Sequence, residues 1–311
     1  MVNYRCNAAC RHCLYACSPS RYAGYVSKEK IQEICRLLVS ARIGSVHIGG
    51  GEPFLDFQNL LIVIRELAES GIILDYIETN AFWAHDKACG EYLAILRKEG
   101  VRALCISVDP FHAEYVPWEF PVSLARSCEK QGMGYFLWKQ EFIKHLSRLD
   151  GKKRHPRAEI EAALSPDYVG KTATAYRIRL GGRAINIEAE YGRQKPTAEL
   201  LDDHPCDELL SSGHFHVDLE SFFIPPRCTG LRLPLGELLS GTEQDKYPVF
   251  QALYSTGIAG LYRFALEHGF APDKNGYSSK CNLCFHIRRS LAGRGFAELD
   301  TDFYEESLKY Y

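Results

Sequence analysis

Over roughly the first 190 positions, short apolar runs alternate with amphipathic stretches. Ser45–Gly49, Leu74–Thr79, Ala103–Val108 and Gly134–Leu137 each read as a strand, and either Arg177–Leu180 or Ala184–Ile187 supplies another. Between them the period lengthens to that of a helix. Ser27 can cap a helix running to about Arg42, with Ile31, Ile34, Leu37 and Leu38 on one face. Gly44 follows its end, where a left-handed residue is expected. Phe57–Ser70 and Asp86–Glu99 repeat the pattern, and Gly71 and Gly100 follow them. Strand–helix alternation at this spacing predicts parallel β/α units. Polar residues fall just after the strands, at Gly50-Gly51-Glu52-Pro53, Asn80 and Asp109-Pro110-Phe111-His112. That is the edge where parallel α/β folds bind ligands.

Past about residue 195 prolines and glycines become denser and the alternation lapses. Tyr191–Pro196 reads as a link, so the expected domains are 1–195 and 196–311.

The formal net charge of -2 gives no electrostatic grip on nucleic acid or an anionic membrane, so neither is expected as a partner. No run of about 18 apolar residues suggests a membrane span, and the N-terminus lacks the charged and apolar regions of a secretory signal. The expected location is cytoplasmic, where clustered cysteines bind metal or do chemistry more often than they form disulfides. There are 12 cysteines. Cys6, Cys10 and Cys13 form one set, and Cys206, Cys228, Cys281 and Cys284 another. Of the scattered remainder, Cys35 and Cys105 sit in apolar stretches and read as small buried hydrophobes.

The first set stands in Cys6-Asn-Ala-Ala-Cys10-Arg-His-Cys13. A disulfide would strand one thiol, and a structural zinc site takes four ligands. Three thiolates suit a cubane iron–sulfur cluster that keeps one iron open. A three-ligand zinc site, or one completed by a distant residue, stays open on spacing alone. The Cx3Cx2C spacing resembles the signature of the radical S-adenosylmethionine (radical SAM) superfamily. Gly49-Gly50-Gly51-Glu52-Pro53 resembles that family's GGE[P] motif, Thr79-Asn80 its polar pair after the next strand, and Ser107-Val-Asp109 its ribose-contacting strand end. The resemblance implies a 4Fe-4S cluster on Cys6, Cys10 and Cys13. It implies S-adenosylmethionine held by Gly50, Gly51, Glu52, Pro53, Thr79, Asn80, Ser107 and Asp109. It also implies a deoxyadenosyl radical that abstracts hydrogen from substrate. Asp109 and His112 are candidate catalytic groups, with His112 placed as a substrate contact or general base.

On spacing, the second set reads as a closed four-ligand site for zinc or an iron–sulfur cluster. With Gly182-Arg183-Ala184 before it, it resembles the C-terminal auxiliary-cluster extension of many radical SAM enzymes, in the one-cluster Twitch form of the SPASM type. The usual glycine before its second cysteine is replaced by Ser221–Arg227. The implied fold class is α/β: a partial (β/α)6 TIM-like barrel with a small α+β iron–sulfur domain. Only Met1–Arg5 precedes Cys6, too short for a full barrel strand at about 3.3 Å per residue. The expectation is a vestigial first strand or a chain truncated upstream. The reading implies a peptide or small-molecule substrate and an electron donor such as flavodoxin or ferredoxin. The alternative is a non-catalytic iron–sulfur or zinc protein.

Overall fold

The computed structural model describes residues 1–22, 24–165, 168–175, 181–202, 204–210, 213–241 and 246–310. The chain forms two compact units, neither of them a continuous piece of sequence. The first takes Met1–Cys10, Cys17–Lys171 and Asp218–Ser221; the second takes Arg11–Ala16, Thr172–Val217 and Phe222–Tyr311.

In the first unit the sequence order is α1 (Lys28–Ser40), β1 (Ser45–Ile48), α2 (Phe57–Glu69), β2 (Ile73–Thr79), α3 (Cys89–Lys98), β3 (Ala103–Ser107), α4 (Pro110–Ala113), α5 (Glu119–Gln131), β4 (Gly134–Trp138), α6 (Ile143–Leu146) and α7 (Arg157–Leu164). The four strands pair in the order β1-β2-β3-β4, all parallel. This is the α/β arrangement the alternation predicts, and the described residues supply four strands of the partial barrel. Ser27 caps α1 by accepting the Lys30 N–H at 3.2 Å, and Ile31, Ile34, Cys35 and Leu38 face inward. Gly71 (φ 72°) and Gly100 (φ 87°) take the left-handed conformation that ends α2 and α3. After α1 that role falls to Arg42 (φ 58°) rather than Gly44. Leu60, Leu93, Leu96 and Leu124 of the helices and Ile77, Leu104 and Ile106 of the strands are fully buried. Cys35 and Cys105 are buried, as their apolar settings predict.

Val2–Arg5 is not a regular strand, but it runs beside the continuation of β1 in the parallel sense. The Val2 N–H donates to Gly49 O at 3.0 Å, Gly51 N–H to Asn3 O at 2.9 Å and Glu52 N–H to Arg5 O at 3.0 Å. These four residues thus pair with Gly49–Glu52, just past the end of β1.

Helix α8 (Tyr168–Ala175) straddles the division at Lys171. The second unit then holds α9 (Ala184–Tyr191), α10 (Asp207–Leu210), β5 (His216–Val217), β6 (Phe222–Ile224), β7 (Leu233–Pro234), α11 (Leu235–Ser240), α12 (Pro248–Glu267), α13 (Lys280–Ala292) and α14 (Thr301–Lys309). Arg177–Leu180 falls outside the described residues. Ala184–Ile187, its alternative as a strand, is the first turn of α9, with Ala184, Ile185 and Ile187 buried on one side. The three short strands form an antiparallel sheet in the order β5-β6-β7. The core gathers Leu253, Ile258 and Leu261 of α12, Leu283, Phe285 and Ile287 of α13, and Phe303 and Tyr304 of α14. No helix among the described residues is long and apolar enough to cross a membrane.

Candidate active site and metal-binding cysteines

The glycines after β1 are first a requirement of packing. A Cβ on Gly51 would lie 1.9 Å from Arg5 O, and one on Gly50, at φ 151°, 2.7 Å from Asn3 O. The close run of Val2–Arg5 therefore demands bare backbone here. Asn3 fastens the loop further, donating to Glu52 O at 3.0 Å and accepting from the Gly51 N–H at 3.0 Å.

Glu52 points into the unit and is 1% exposed. Its carboxylate accepts the Phe54 N–H (3.1 Å), the Thr79 hydroxyl (2.9 Å) and the Asn80 N–H (2.7 Å). Pro53 follows as the first residue of a short 3-10 turn that Glu52 caps. Burial raises the Glu52 pKa to about 7, against the pull of those donors. The carboxylate ties the glycine loop to the end of β2. Asn80, held by that tie, extends its side-chain amide to Cys6 Sγ at 3.7 Å and Asn7 Oδ1 at 2.9 Å. The Ala8 N–H also points to Cys6 Sγ, at 3.4 Å. Two N–H donors on one sulfur suit a thiolate, the form in which cysteine binds metal.

Ser107 closes β3, and two residues on Asp109 caps α4, its Oδ1 accepting the Phe111 and His112 N–H groups at 2.9 Å each. The other carboxylate oxygen lies 2.7 Å from His112 Nδ1. Burial works against a charge on His112, but Asp109 and the neighbouring Cys10 overcome it and raise its pKa well above the ordinary value. The first unit thus gathers Cys6, Cys10, Glu52, Thr79, Asn80, Asp109 and His112 at the ends of its strands. Cys13 belongs to the second unit, where its carbonyl accepts the Arg183 N–H at 3.0 Å.

The second cysteine set lies wholly in the second unit. Cys206, Cys228, Cys281 and Cys284 line one cavity of about 570 Å3, counting its open mouth. Cys281 and Cys284 stand three apart on α13, so they project from one side of it. Cys206 is placed by a break in α12. Gly257 there has φ 61° and ψ -147°, so the helix lets in another segment of chain. The Cys206 N–H donates to Leu253 O at 3.2 Å and the Ala259 N–H to Asp202 O at 3.2 Å. A Cβ on Gly257 would meet His204 O at 1.9 Å. Desolvation within the cavity pushes the Cys281 thiol up to about 11, although the residue reaches the surface, and raises Cys284 too. A metal bound there must release those protons.

The cavity is also lined by Arg288, 4% exposed, which the sequence reading did not single out. Its Nη1 donates to Cys228 O (3.2 Å) and Thr229 O (2.9 Å), and its Nε has no partner among the described residues. The available signal was spacing: Arg288 follows Cys284 by four, one turn along the same helix face. A buried cation beside four thiols fits a site that is anionic when loaded.

Residues 2–130 match the family described as Radical SAM superfamily, and this part of the chain is a radical SAM domain. The family implies a 4Fe-4S cluster, S-adenosylmethionine and an enzyme. A curated relative is YydG of Bacillus subtilis (strain 168), provisionally described as a peptide biosynthesis protein. It is 35% identical over 122 residues, which are 37% of this chain and 36% of that protein. The match thus spans little more than a third of the relative. Among solved structures, Streptococcus suis SuiB bound to S-adenosylmethionine is similar over 71% of this chain and 58% of that one, with 14% identity and a TM-score of 0.34.

Proposed function

We propose that this chain is a radical SAM enzyme that modifies a peptide, with a first 4Fe-4S cluster on Cys6, Cys10 and Cys13 and an auxiliary 4Fe-4S cluster on Cys206, Cys228, Cys281 and Cys284. The observation that carries the reading is the convergence of Asn80 and the Ala8 N–H on Cys6 Sγ, inside the stretch that matches the family. The relative assigned to peptide biosynthesis supports the substrate class.

When bound, the first cluster and S-adenosylmethionine supply a deoxyadenosyl radical after one-electron reduction by a donor of the flavodoxin or ferredoxin kind. The chain's own residues prepare that site. Asn80 and Ala8 direct N–H groups to a ligand sulfur. Glu52 spends its carboxylate on Phe54, Thr79 and Asn80, so an ammonium arriving at the glycine loop meets backbone carbonyls instead. Asp109, beyond Ser107, fixes the His112 ring, which stands as a proton-holding group beside Cys10. The auxiliary site has four thiols and no open ligand position, the reading of residues 196–311 as a Twitch/SPASM-like domain.

Anaerobic reconstitution tests this. About eight irons per chain are expected for two cubane clusters, with deoxyadenosine released after dithionite reduction. Replacing Cys6, Cys10 or Cys13 by Ala abolishes that release. Cys281→Ala retains release but stops peptide turnover. Bound zinc with no deoxyadenosine overturns the reading in favour of a non-catalytic metal protein.

A further inference from the structure

We infer that Arg288 is a positioning and charge-compensating residue for the auxiliary cluster, holding its reduction potential up. The inference rests on the auxiliary-site reading above and adds a residue outside the ligand set.

Four observations converge on this residue. Arg288 lines the same cavity as the four cysteines and is 4% exposed. It sits one helical turn beyond Cys284 on α13. Its Nη1 fastens it to the carbonyls of Cys228 and Thr229, so the guanidinium is anchored through the segment that carries another ligand. No carboxylate pairs with it among the described residues, and its Nε and the neighbouring Tyr304 hydroxyl are both unpartnered there.

A guanidinium stays charged in proteins. A buried charge is strongly unfavourable unless it is compensated, and besides the two carbonyls Arg288 has the face of the Tyr304 ring, 5.8 Å from its guanidinium carbon. Neutral thiols do not compensate it. Four thiolates around a 4Fe-4S core of charge +2 carry a net -2, and one added electron makes that -3. A fixed cation nearby therefore favours the reduced state over the oxidised one, and net local charge and hydrogen bonds at sulfur are the levers that set such potentials. The step at issue is one electron taken from an external reductant, with no bond made or broken.

The test uses the full reconstituted chain, with anaerobic dithionite titrations followed by electron paramagnetic resonance. The first cluster serves as an internal reference. Arg288→Met preserves length and removes the charge; Arg288→Lys keeps the charge. Arg288→Met is expected to reduce the reduced-to-oxidised ratio of the auxiliary cluster at fixed potential about tenfold, a shift of about 59 mV for one electron. The first cluster's midpoint and the iron content stay unchanged, and Arg288→Lys titrates close to the parent. Assembly in Arg288→Lys but not in Arg288→Met also supports a charge role. An unmoved midpoint in a fully loaded Arg288→Met overturns the inference, as does loss of the cluster from both variants. About four irons in the parent chain instead overturns the auxiliary-site reading itself, which separates the two failures.

Discussion

Asn80 donates its side-chain N–H to Cys6 Sγ across 74 positions of sequence, at 3.7 Å. The same residue offers its backbone N–H to Glu52 at 2.7 Å. The end of β2, the glycine loop and the first cysteine are therefore one hydrogen-bonded unit. Asn80→Asp keeps the side-chain acceptor that holds the Phe82 N–H but removes the donor to sulfur and adds a negative charge. Loss of an outer partner of a metal ligand typically costs 10–100-fold in affinity or activity. Iron release to a chelator from the reconstituted chain is expected to quicken by about that factor. Unchanged release kinetics would show that the contact does not support the ligand.

Glu52 gives a pH dependence whose sign follows from its burial. In the fold its pKa is about 7 against an ordinary 4.5, so folding favours the protonated form. Below about pH 4.5 the folded and unfolded chains are both protonated there and nothing is lost. Between that value and pH 7 the unfolded chain ionises while the folded one resists, and the penalty is fully present above 7. Relative to Glu52→Gln, the parent should lose about 3 kcal/mol of stability across this window. Urea unfolding at a series of pH values measures it, and two parallel curves would count against a buried, proton-holding carboxylate.

Gly51→Ala places a methyl carbon 1.9 Å from Arg5 O. Backbone on backbone cannot be relieved by rotating a side chain, so the expected loss is about 3 kcal/mol or more. Differential scanning calorimetry of the two proteins reads it as a fall in Tm. A variant as stable as the parent would mean that Val2–Arg5 does not hold the loop.

Gly257→Ala strikes His204 O at 1.9 Å and demands a left-handed φ of an alanine. The segment it displaces carries Cys206. Iron content should fall from about eight toward about four per chain, with deoxyadenosine release retained. Full iron loading in this variant would separate the helix break from the placement of Cys206.

The four strands and the first helix cap were legible because each is written locally. Ser45–Ile48 and Ala103–Ser107 are short apolar runs between turn signals, and Ser27 stands at the start of an apolar period of 3.6. Ala184–Ile187 misled for the same reason in reverse. Four residues with apolar side chains at alternate positions fit a strand, and only the continuation to Tyr191 reveals a helix. Val2–Arg5 carries no periodic signal, since its place beside Gly49–Glu52 is fixed by backbone hydrogen bonds and by the Asn3 side chain, neither of which follows a hydrophobic period. At the site, residue types and strand-end positions were legible. What Glu52 does with its carboxylate was not: its partners Thr79 and Asn80 lie 27 and 28 positions away. Arg288 escaped notice because an arginine on a helix reads as surface until burial is known.

The exchange of short segments between the two units bears on how the protein is made. The Tyr4 hydroxyl donates to Asp218 at 2.9 Å, a buried contact within the first unit across 214 positions. During synthesis, Tyr4 emerges from the ribosome long before its acceptor exists. The stretch Arg11–Ala16 likewise waits for Thr172–Val217 and Phe222–Tyr311, the rest of the unit it belongs to. Neither unit can be released by cutting the chain once, and a nascent chain halted before residue 218 lacks part of the unit that most of its length belongs to. Completion of the first unit therefore waits until Asp218–Ser221 has been made.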